Sequence, residues 1–282
     1  MDKETWLLWM LADSQLPTGG FVASAGLEAA VQGGLVRENA SEDENDSFMR
    51  FIHDSTNNQA QFALPFCSQV HGTVLANLAP LDTDTDKDSD KDSDKDDQVV
   101  ERAIEEIRRT DAYHHSMLAS NRVAMRASIA QGGGLLSLFN RGYAHAGFME
   151  DRHGQVCVKI AKRLQRLSRL GEMRGHWATM FGFVCVALGI SCAHMQQLFL
   201  FQFVRQIFSA AIRLNLVGPL RAQMLACDTQ KLVNALLELH SHRRVVFETS
   251  EDLFGETAVY TEPVLELFQG MHDRLYSRIF NS

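Results

Sequence analysis

Glycine and proline residues divide this chain into apolar segments that have the length and periodicity of α-helices. In one of them Ala103, Ile104 and Ile107 form a stripe, with charged residues on the opposite face. Another, Trp177–Ala193, contains no charged residue. No run of alternating β-branched residues is long enough to build a sheet. The sequence therefore predicts an all-α fold, a bundle of about nine or ten helices in a single domain over residues 1–282.

The composition is that of a globular protein and argues against two other classes. The chain is 45% apolar and 22% charged, with a net charge of −8, and no basic face stands out for nucleic-acid binding. Trp177–Ala193 is at the lower length limit for a membrane span, so a buried core helix is the better interpretation. The acidic start and short apolar run that follows do not match a secretory signal peptide.

Cysteine usage indicates the compartment in which the protein works. The sequence has five cysteines, an odd number, and no two of them have the C-x-x-C spacing. This pattern favours reduced, mostly buried thiols over disulfides, a zinc site or a redox site. Together with the lack of a signal peptide, it predicts a cytoplasmic location. The cysteines are Cys67, Cys157, Cys185, Cys192 and Cys227.

An Asp-rich run occupies residues 81–98 and has nine aspartates and three lysines. The Asp-x-Asp spacing suggests an EF-hand, but Ser89 stands where that loop needs glycine and Lys95 where it needs glutamate. A calcium site is therefore not expected. Because the run has no apolar residue after Leu81, it cannot bury a face, and it predicts a disordered loop inserted at the surface.

Small residues are concentrated in the segment 16–36, LPTGGFVASAGLEAAVQGGLV. A phosphate-binding loop would need a preceding strand and a Gly-Lys-Ser/Thr ending, and both are missing. Two interpretations remain open. The segment is either a tight turn with glycine at positive φ, followed by close helix packing, or a surface for another protein. Ser24 is interpreted as a small helix residue.

Motifs for metal binding and catalysis are also missing. The pairs His114–His115 and His240–His242 lack the i,i+4 spacing that places two ligands on one helix face. No G-x-S-x-G or H-E-x-x-H motif occurs. No catalytic residue, cofactor site or metal site is therefore assigned. Arg213 lies at an apolar helix end, where it either caps carbonyl groups or reaches a carboxylate.

Four segments, in this order along the chain, resemble the urease accessory protein family UreF. The Leu-Pro-x-Gly-Gly-Phe corner and the Gly-Leu-Glu that follows are the first, within residues 16–36. RASIAQGGGLL at 126–136, GHWATMFGFVCVALGI at 175–190 and FSAAIRLNLVGPLRAQ at 208–223 are the others. The last has the form found in eukaryotic members. Val22 and Ala23 replace an aromatic or polar pair of many members, and the Asp-rich run is an insertion.

The resemblance implies an all-α, UreF-like homodimer with no catalytic activity of its own. Such proteins bind the accessory protein UreD, also called UreH, and the pair recruits the GTPase UreG for GTP-dependent nickel insertion into apo-urease. Nickel is thus handled by the complex, and neither nucleic acid nor membrane is an expected partner. The apolar helices of 177–217 are expected to form much of the core and a dimer face.

On this basis a set of partner-binding residues is predicted around the glycine corner, the second motif and the Gly-Pro break. An α-helical enzyme of unknown activity and a membrane-associated helical protein are the alternatives. The predicted residues are Gly19, Gly20, Phe21, Ser24, Gly26, Glu28, Arg126, Gln131, Arg213, Gly218 and Pro219.

Overall fold

The computed structural model describes residues 1–37, 45–82, 89–245, 247 and 257–282. Within these ranges the chain forms ten α-helices, five short 3-10 helices and no strand. The all-α prediction and the expected number of helices are confirmed. The α-helices are α1 Lys3–Ala12, α2 Leu27–Gln32, α3 Asn45–Leu78, α4 Ser89–Met117, α5 Arg122–Arg141, α6 Arg152–Leu170, α7 Trp177–Ala187, α8 Cys192–Arg213, α9 Pro219–His240 and α10 Pro263–Met271.

The chain divides into two compact units, each made of three stretches of sequence. The first unit contains Met1–Thr18, Phe66–Met117 and Ile129–Met195. The second contains Gly19–Pro65, Leu118–Ser128 and Gln196–Ser282. The expectation of a single domain over residues 1–282 stays a prediction.

Helix α7 is the centre of the first unit. Every residue from Ala178 to Ala187 is buried, and α6 packs against both α4 and α7. A Cβ atom on Gly182 would lie 2.3 Å from the Cys67 carbonyl oxygen, so only glycine allows this close approach. The prediction of a buried core helix is confirmed. Across the described ranges, no helix combines the length and the apolar character that a membrane crossing requires.

The core of the second unit lies between α2, α3 and α8. The side chains of Phe48 in α3 and Phe208 in α8 meet edge to face, with ring centroids 5.8 Å apart. Phe280, far along the sequence, is buried in the same cluster. The apolar residues predicted for 177–217 thus supply core positions in both units. The largest buried members of this second core are Leu27, Phe48, Phe51, Ile52, Ile207, Phe208 and Phe280.

Pro65 is a residue type that favours the first turn of a helix, but the structure places it inside α3. A proline in a helix interior removes one backbone hydrogen bond and costs about 3 kcal/mol. Its neighbours Leu64, Phe66 and Cys67 are completely or almost completely buried, and their packing offsets that cost. Ser41 and the acidic residues after it predict a helix start, which lies outside the described residues.

The Asp-rich run is helical where the structure describes its later part. Helix α4 begins at Ser89, so residues 89–98 are not the disordered loop that the composition predicts. Aspartates near a helix N-terminus interact favourably with the helix dipole. The carboxylate of Asp96 also lies 3.0 Å from Nε of Arg152 in α6. Residues 83–88 lie outside the described ranges.

The cysteines are free thiols, and most of them are buried. Cys67, Cys157 and Cys185 are buried, Cys192 is half-buried and Cys227 is exposed. Burial raises the pKa of the Cys157 thiol to about 12, which keeps it protonated at neutral pH. The prediction of mostly buried thiols is confirmed.

Candidate functional site

The glycine corner contains two backbone reversals. Gly19 has φ +78° and precedes a short 3-10 helix over Gly20–Val22, whereas Gly26 has φ +84° and precedes α2. The predicted turn with a glycine at positive φ is therefore present at Gly19. Phe21 projects from the short helix and is 61% exposed.

Ser24 is not a helix residue, contrary to the sequence interpretation. The chain reverses at Ala25, which has φ +53°, and at Gly26, so α2 begins only at Leu27. The backbone N–H and the hydroxyl of Ser24 both donate to the carbonyl oxygen of Ser282, at 2.6 and 3.0 Å. Ser24 is fully buried, and its hydroxyl contributes a specific hydrogen bond.

Glu28 places a carboxylate in the interior of the second unit, where its side chain is only 1% exposed. Its Oε1 accepts a hydrogen bond from the backbone N–H of Ile279 at 2.6 Å. Its Oε2 accepts one from the N–H of Phe280 at 3.1 Å and lies 3.0 Å from Nε2 of His272. A buried carboxylate requires several donors, and all of these come from residues 272–282, called here the 272–282 segment.

The sequence from Pro263 to Phe280 favours one last helix, but the structure ends this helix earlier. Helix α10 ends at Met271, and a single 3-10 turn follows over His272–Arg274. The N–H groups of Ile279 and Phe280 donate to Glu28 and are thus not available to carbonyls four residues back. At this end of the segment a distant carboxylate therefore replaces helical carbonyls as the acceptor.

Arg126 holds the same segment through its guanidinium. Its Nη1 and Nη2 donate to the two carboxylate oxygens of Asp273 at 2.9 and 2.8 Å. Nη2 also donates to the carbonyl oxygen of Asn281 at 3.0 Å. Hydrogen bonding to Arg126 holds the pKa of Asp273 below its ordinary value, and the same bond raises the pKa of Arg126. The pair is bidentate, the geometry that arginine favours.

Arg213 contacts the segment through an aromatic ring. Its guanidinium carbon lies 4.3 Å from the ring centroid of Phe280, a cation–π contact. Its Nε donates to the carbonyl oxygen of Ser209 at 3.2 Å. Arg213 thus bonds a carbonyl of its own helix, and its pairing with a carboxylate stays a prediction. Partial burial lowers the pKa of Arg213 from its ordinary value.

The structure brings together only part of the predicted set. Ser24, Glu28, Arg126 and Arg213 contact the 272–282 segment directly. A Cβ atom on Gly26 would lie 3.1 Å from the Gln269 side chain in α10.

The remaining members lie elsewhere. Gln131 is a half-exposed residue of α5 in the first unit. Gly218 and Pro219 begin α9 and are exposed.

Sequence reasoning missed His272, Asp273 and the backbone of 279–282. The signal that could have found them is Glu28 itself. A glutamate on the buried face of a short Ala-rich helix needs donors from elsewhere in the chain. The sequence carries nothing, however, that says which residues supply them.

The first unit contains a second buried carboxylate, at Asp111 in α4. It accepts backbone N–H bonds from Arg174, Gly175 and His176 at 2.8–3.0 Å. The Thr179 hydroxyl donates to it at 2.9 Å. Asp111 thus caps the N-terminus of α7 from a different helix.

Histidines surround this cap. Nδ1 of His115 lies 3.1 Å from Nε2 of His176, and the His114 ring stacks on Phe66. Burial lowers the pKa of His176 to about 4, although the Asp111 carboxylate acts in the opposite direction. In the ranges that the structure describes, no group of three or more His, Cys, Asp or Glu side chains could hold a metal ion.

Comparison with known proteins gives a family match over most of the chain. The UreF family model matches residues 42–230. The chain is 30% identical to "Urease accessory protein 6" of Cryptococcus neoformans var. grubii, over 99% of this chain and 98% of that protein. It is 32% identical to "Urease accessory protein F" of Arabidopsis thaliana, over 98% of this chain and 92% of that protein.

A shorter similarity reaches the "Uncharacterized urease accessory protein UreF-like" of Schizosaccharomyces pombe. That match is 29% identical and covers 57% of this chain and 63% of that protein. The first two relatives match almost from end to end. The chain belongs to the UreF family of urease accessory proteins.

Proposed function

We propose that this protein is a scaffold for urease maturation that binds UreD (UreH) and, together with it, recruits the GTPase UreG. The complex then supports GTP-dependent insertion of nickel into apo-urease. Family membership carries this proposal, with relatives named as urease accessory proteins across nearly the whole chain. In this scheme the chain does no chemistry itself and regulates the activity of its partner GTPase.

The described residues are compatible with such a role. The residues predicted to bind partners include four that fix the 272–282 segment, and this segment presents apolar side chains outward. Tyr276 is fully exposed, and Ile279 and the α10 residue Leu267 are mostly exposed. Exposed apolar side chains on a well-anchored backbone form a suitable protein-binding surface.

The finer features of the proposal follow the family. Nickel is the cargo of the complex, and no cofactor is bound by this chain. The working unit is a homodimer in the cytoplasm, with apolar residues of 177–217 at its interface. Phe201 of α8 is the exposed aromatic residue of that stretch and is a candidate for the dimer contact.

Complementation tests the function as a whole. Deletion of this chain in a urease-positive host should leave urease protein present but free of nickel, and the intact gene should restore both nickel and activity. Normal nickel content in the deletion strain would overturn the proposal. Rapid nucleotide turnover by the purified chain alone would instead favour the enzyme alternative.

Replacement of Arg213 tests the anchor beside the Gly218-Pro219 break. We expect Arg213→Ala to weaken capture of UreD and UreG and to lower urease activation, with an unchanged circular dichroism spectrum. Arg141→Ala, an exposed arginine at the end of α5, is the matched control. Wild-type capture by Arg213→Ala would remove this residue from the partner site, and gross unfolding would make its role structural.

A further inference from the structure

Helix α6 has an unusual charge distribution for a chain with a net charge of −8. Over its 19 residues it contains no aspartate or glutamate. Its cationic side chains are Arg152, Lys159, Lys162, Arg163, Arg166 and Arg169. Such a concentration of one sign on one helix creates a local positive potential that attracts anionic groups.

One side of α6 is neutralised by α4. Nζ of Lys159 lies 3.5 Å from the carboxylate of Asp97, and Arg163 pairs with Glu101. Asp97 and Glu101 are four residues apart, as are Lys159 and Arg163, so the two helices match their charges turn by turn. Helix α6 therefore already binds an acidic helix in this fold.

A second row of cations on α6 is left open. Lys162, Arg166 and Arg169, called here the basic stripe, have the i, i+4, i+7 spacing of one helix face, and all three are exposed. They make no ion pair with any described residue. Leu170 follows at the end of the same face and is 60% exposed. The stripe thus ends in an apolar side chain.

We infer that the basic stripe is a docking surface for an acidic helical segment of a partner protein. The spacing of the three cations matches carboxylates on successive turns of such a segment. Helix α4 already provides carboxylates in this way for Lys159 and Arg163. Leu170 offers an apolar contact at one end, which gives register to an otherwise purely electrostatic pairing. The inference does not depend on which step of urease maturation the protein performs.

Charge on the neighbouring helix favours a polypeptide over a nucleic acid. Phosphates follow one another continuously along a duplex, about one charge per 1.7 Å of axis. The neighbouring row of α6 is already paired with the carboxylates of Asp97 and Glu101, so a duplex that extends beyond the stripe would find no free cations there. A short acidic helix can place its carboxylates on the stripe alone.

A binding assay with the full-length chain tests the inference. The probe is a fluorescent helical peptide with glutamates at i, i+4 and i+7 and a leucine in register with Leu170, followed by fluorescence anisotropy. We expect saturable binding that weakens as salt is raised, because exposed charge pairs are screened. Lys162→Glu/Arg166→Glu/Arg169→Glu should reduce the affinity by about tenfold or more.

Two further variants separate the stripe from net charge and from folding. Arg141→Glu/Arg221→Glu/Lys231→Glu makes the same change in charge at exposed positions outside α6, and it should keep most of the affinity. Lys162→Gln/Arg166→Gln/Arg169→Gln removes the charges without reversing them and should lose binding with an unchanged circular dichroism spectrum. The inference would be overturned if Arg141→Glu/Arg221→Glu/Lys231→Glu lost affinity and the stripe variants did not.

Other occupants give other results in the same assay. Absence of peptide binding, or duplex DNA that binds as tightly as the peptide and depends equally on the stripe, would overturn the assignment of an acidic helix. Self-association of the wild-type chain that disappears in the stripe variant would assign the surface to a second copy. If the stripe captures a partner from complexes that contain nickel-free urease, the proposed function in urease maturation is unaffected.

Discussion

Asp111 in the first unit and Glu28 in the second solve the same physical problem in different settings. Each is a fully buried carboxylate, and each accepts hydrogen bonds from several backbone N–H groups. The donors to Asp111 belong to residues 174–179, at the start of the completely buried helix α7. The donors to Glu28 belong to the 272–282 segment, in which Tyr276 and Ile279 are exposed.

The difference is what each carboxylate stabilises. Loss of Asp111 would leave buried N–H groups without an acceptor in the middle of a packed core. Loss of Glu28 would loosen the 272–282 segment, in which the partly buried N–H of Ile279 can find water as another acceptor. Asp111 therefore acts on the stability of a whole unit, and Glu28 acts on the attachment of one segment.

Substitution of Asp111 should have the largest effect on stability. Asp111→Ala removes the acceptor for three backbone N–H groups and for the Thr179 hydroxyl. We expect the free energy of unfolding to fall by about 4 kcal/mol, because the donors remain buried. Urea denaturation followed by circular dichroism measures this change.

Two variants make that measurement specific. Asp228→Ala removes an exposed carboxylate in α9 and should change stability very little. Asp111→Asn keeps an acceptor oxygen and should lie between Asp111→Ala and the wild type. A loss for Asp111→Ala no larger than that for Asp228→Ala would show that the cap is not essential to the core.

Acidification should affect the same region by the next largest amount. Burial holds the pKa of His176 at about 4, against 6.5 in the unfolded chain. As the pH falls, this imidazole therefore takes up a proton in the unfolded chain before it does so in the folded one. The contribution of neutral His176 to the free energy of unfolding is complete above pH 6.5. It is lost as the pH falls to about 4, by about 3 kcal/mol in total. Burial lowers the pKa of His114 as well, which acts in the same direction.

The pH dependence of unfolding checks this assignment. The free energy of unfolding, measured in urea at several values between pH 7 and 4, should decrease more steeply for the wild type than for His176→Gln. Equal slopes for the two proteins would mean that other groups cause the acid sensitivity.

Substitution of Glu28 should have a smaller and local effect. Glu28→Gln replaces one of the two carboxylate oxygens by an NH₂ group, which cannot accept a hydrogen bond, so the N–H of either Ile279 or Phe280 loses its acceptor. We expect the free energy of unfolding to fall by about 2 kcal/mol. Amide hydrogen exchange should accelerate at residues 279–282 and stay unchanged in α7. Glu238→Gln, on the exposed side of α9, is the control. Equal acceleration in both units would contradict the distinction between the two carboxylates.

Local sequence predicted the parts of the fold that local chemistry determines. The charge-free segment Trp177–Ala193 contains the buried helix α7, and Gly19 has the positive φ expected of a glycine turn. Helical periodicity, with no long alternating run of β-branched residues, predicted the fold class. The first turns of α4 were missed because their stability depends on Arg152 and Lys159, more than 50 residues away in sequence.

The candidate site was predictable only as separate residues. Ser24, Glu28 and Arg126 were selected through the family resemblance, but their common neighbour was not. His272 lies 244 residues beyond Glu28 in the sequence, and no periodicity links them. Local propensity favours one helix over 263–280, whereas the structure ends α10 at Met271 and directs the N–H groups of Ile279 and Phe280 to Glu28. Tertiary hydrogen bonds at that distance leave no local signal.

The smallest expected effect concerns Arg126, which holds the 272–282 segment from the exposed side. Side chains of Arg126 and Asp273 are about half exposed, so Arg126→Ala should cost only about 1 kcal/mol even with bidentate geometry. Because surface pairs are screened, the cost should shrink at about 0.5 M NaCl, unlike that of Glu28→Gln. A double-mutant cycle with Asp273→Ala isolates the coupling of the pair. A salt-independent loss as large as that of Glu28→Gln would place Arg126 among the buried anchors of the segment.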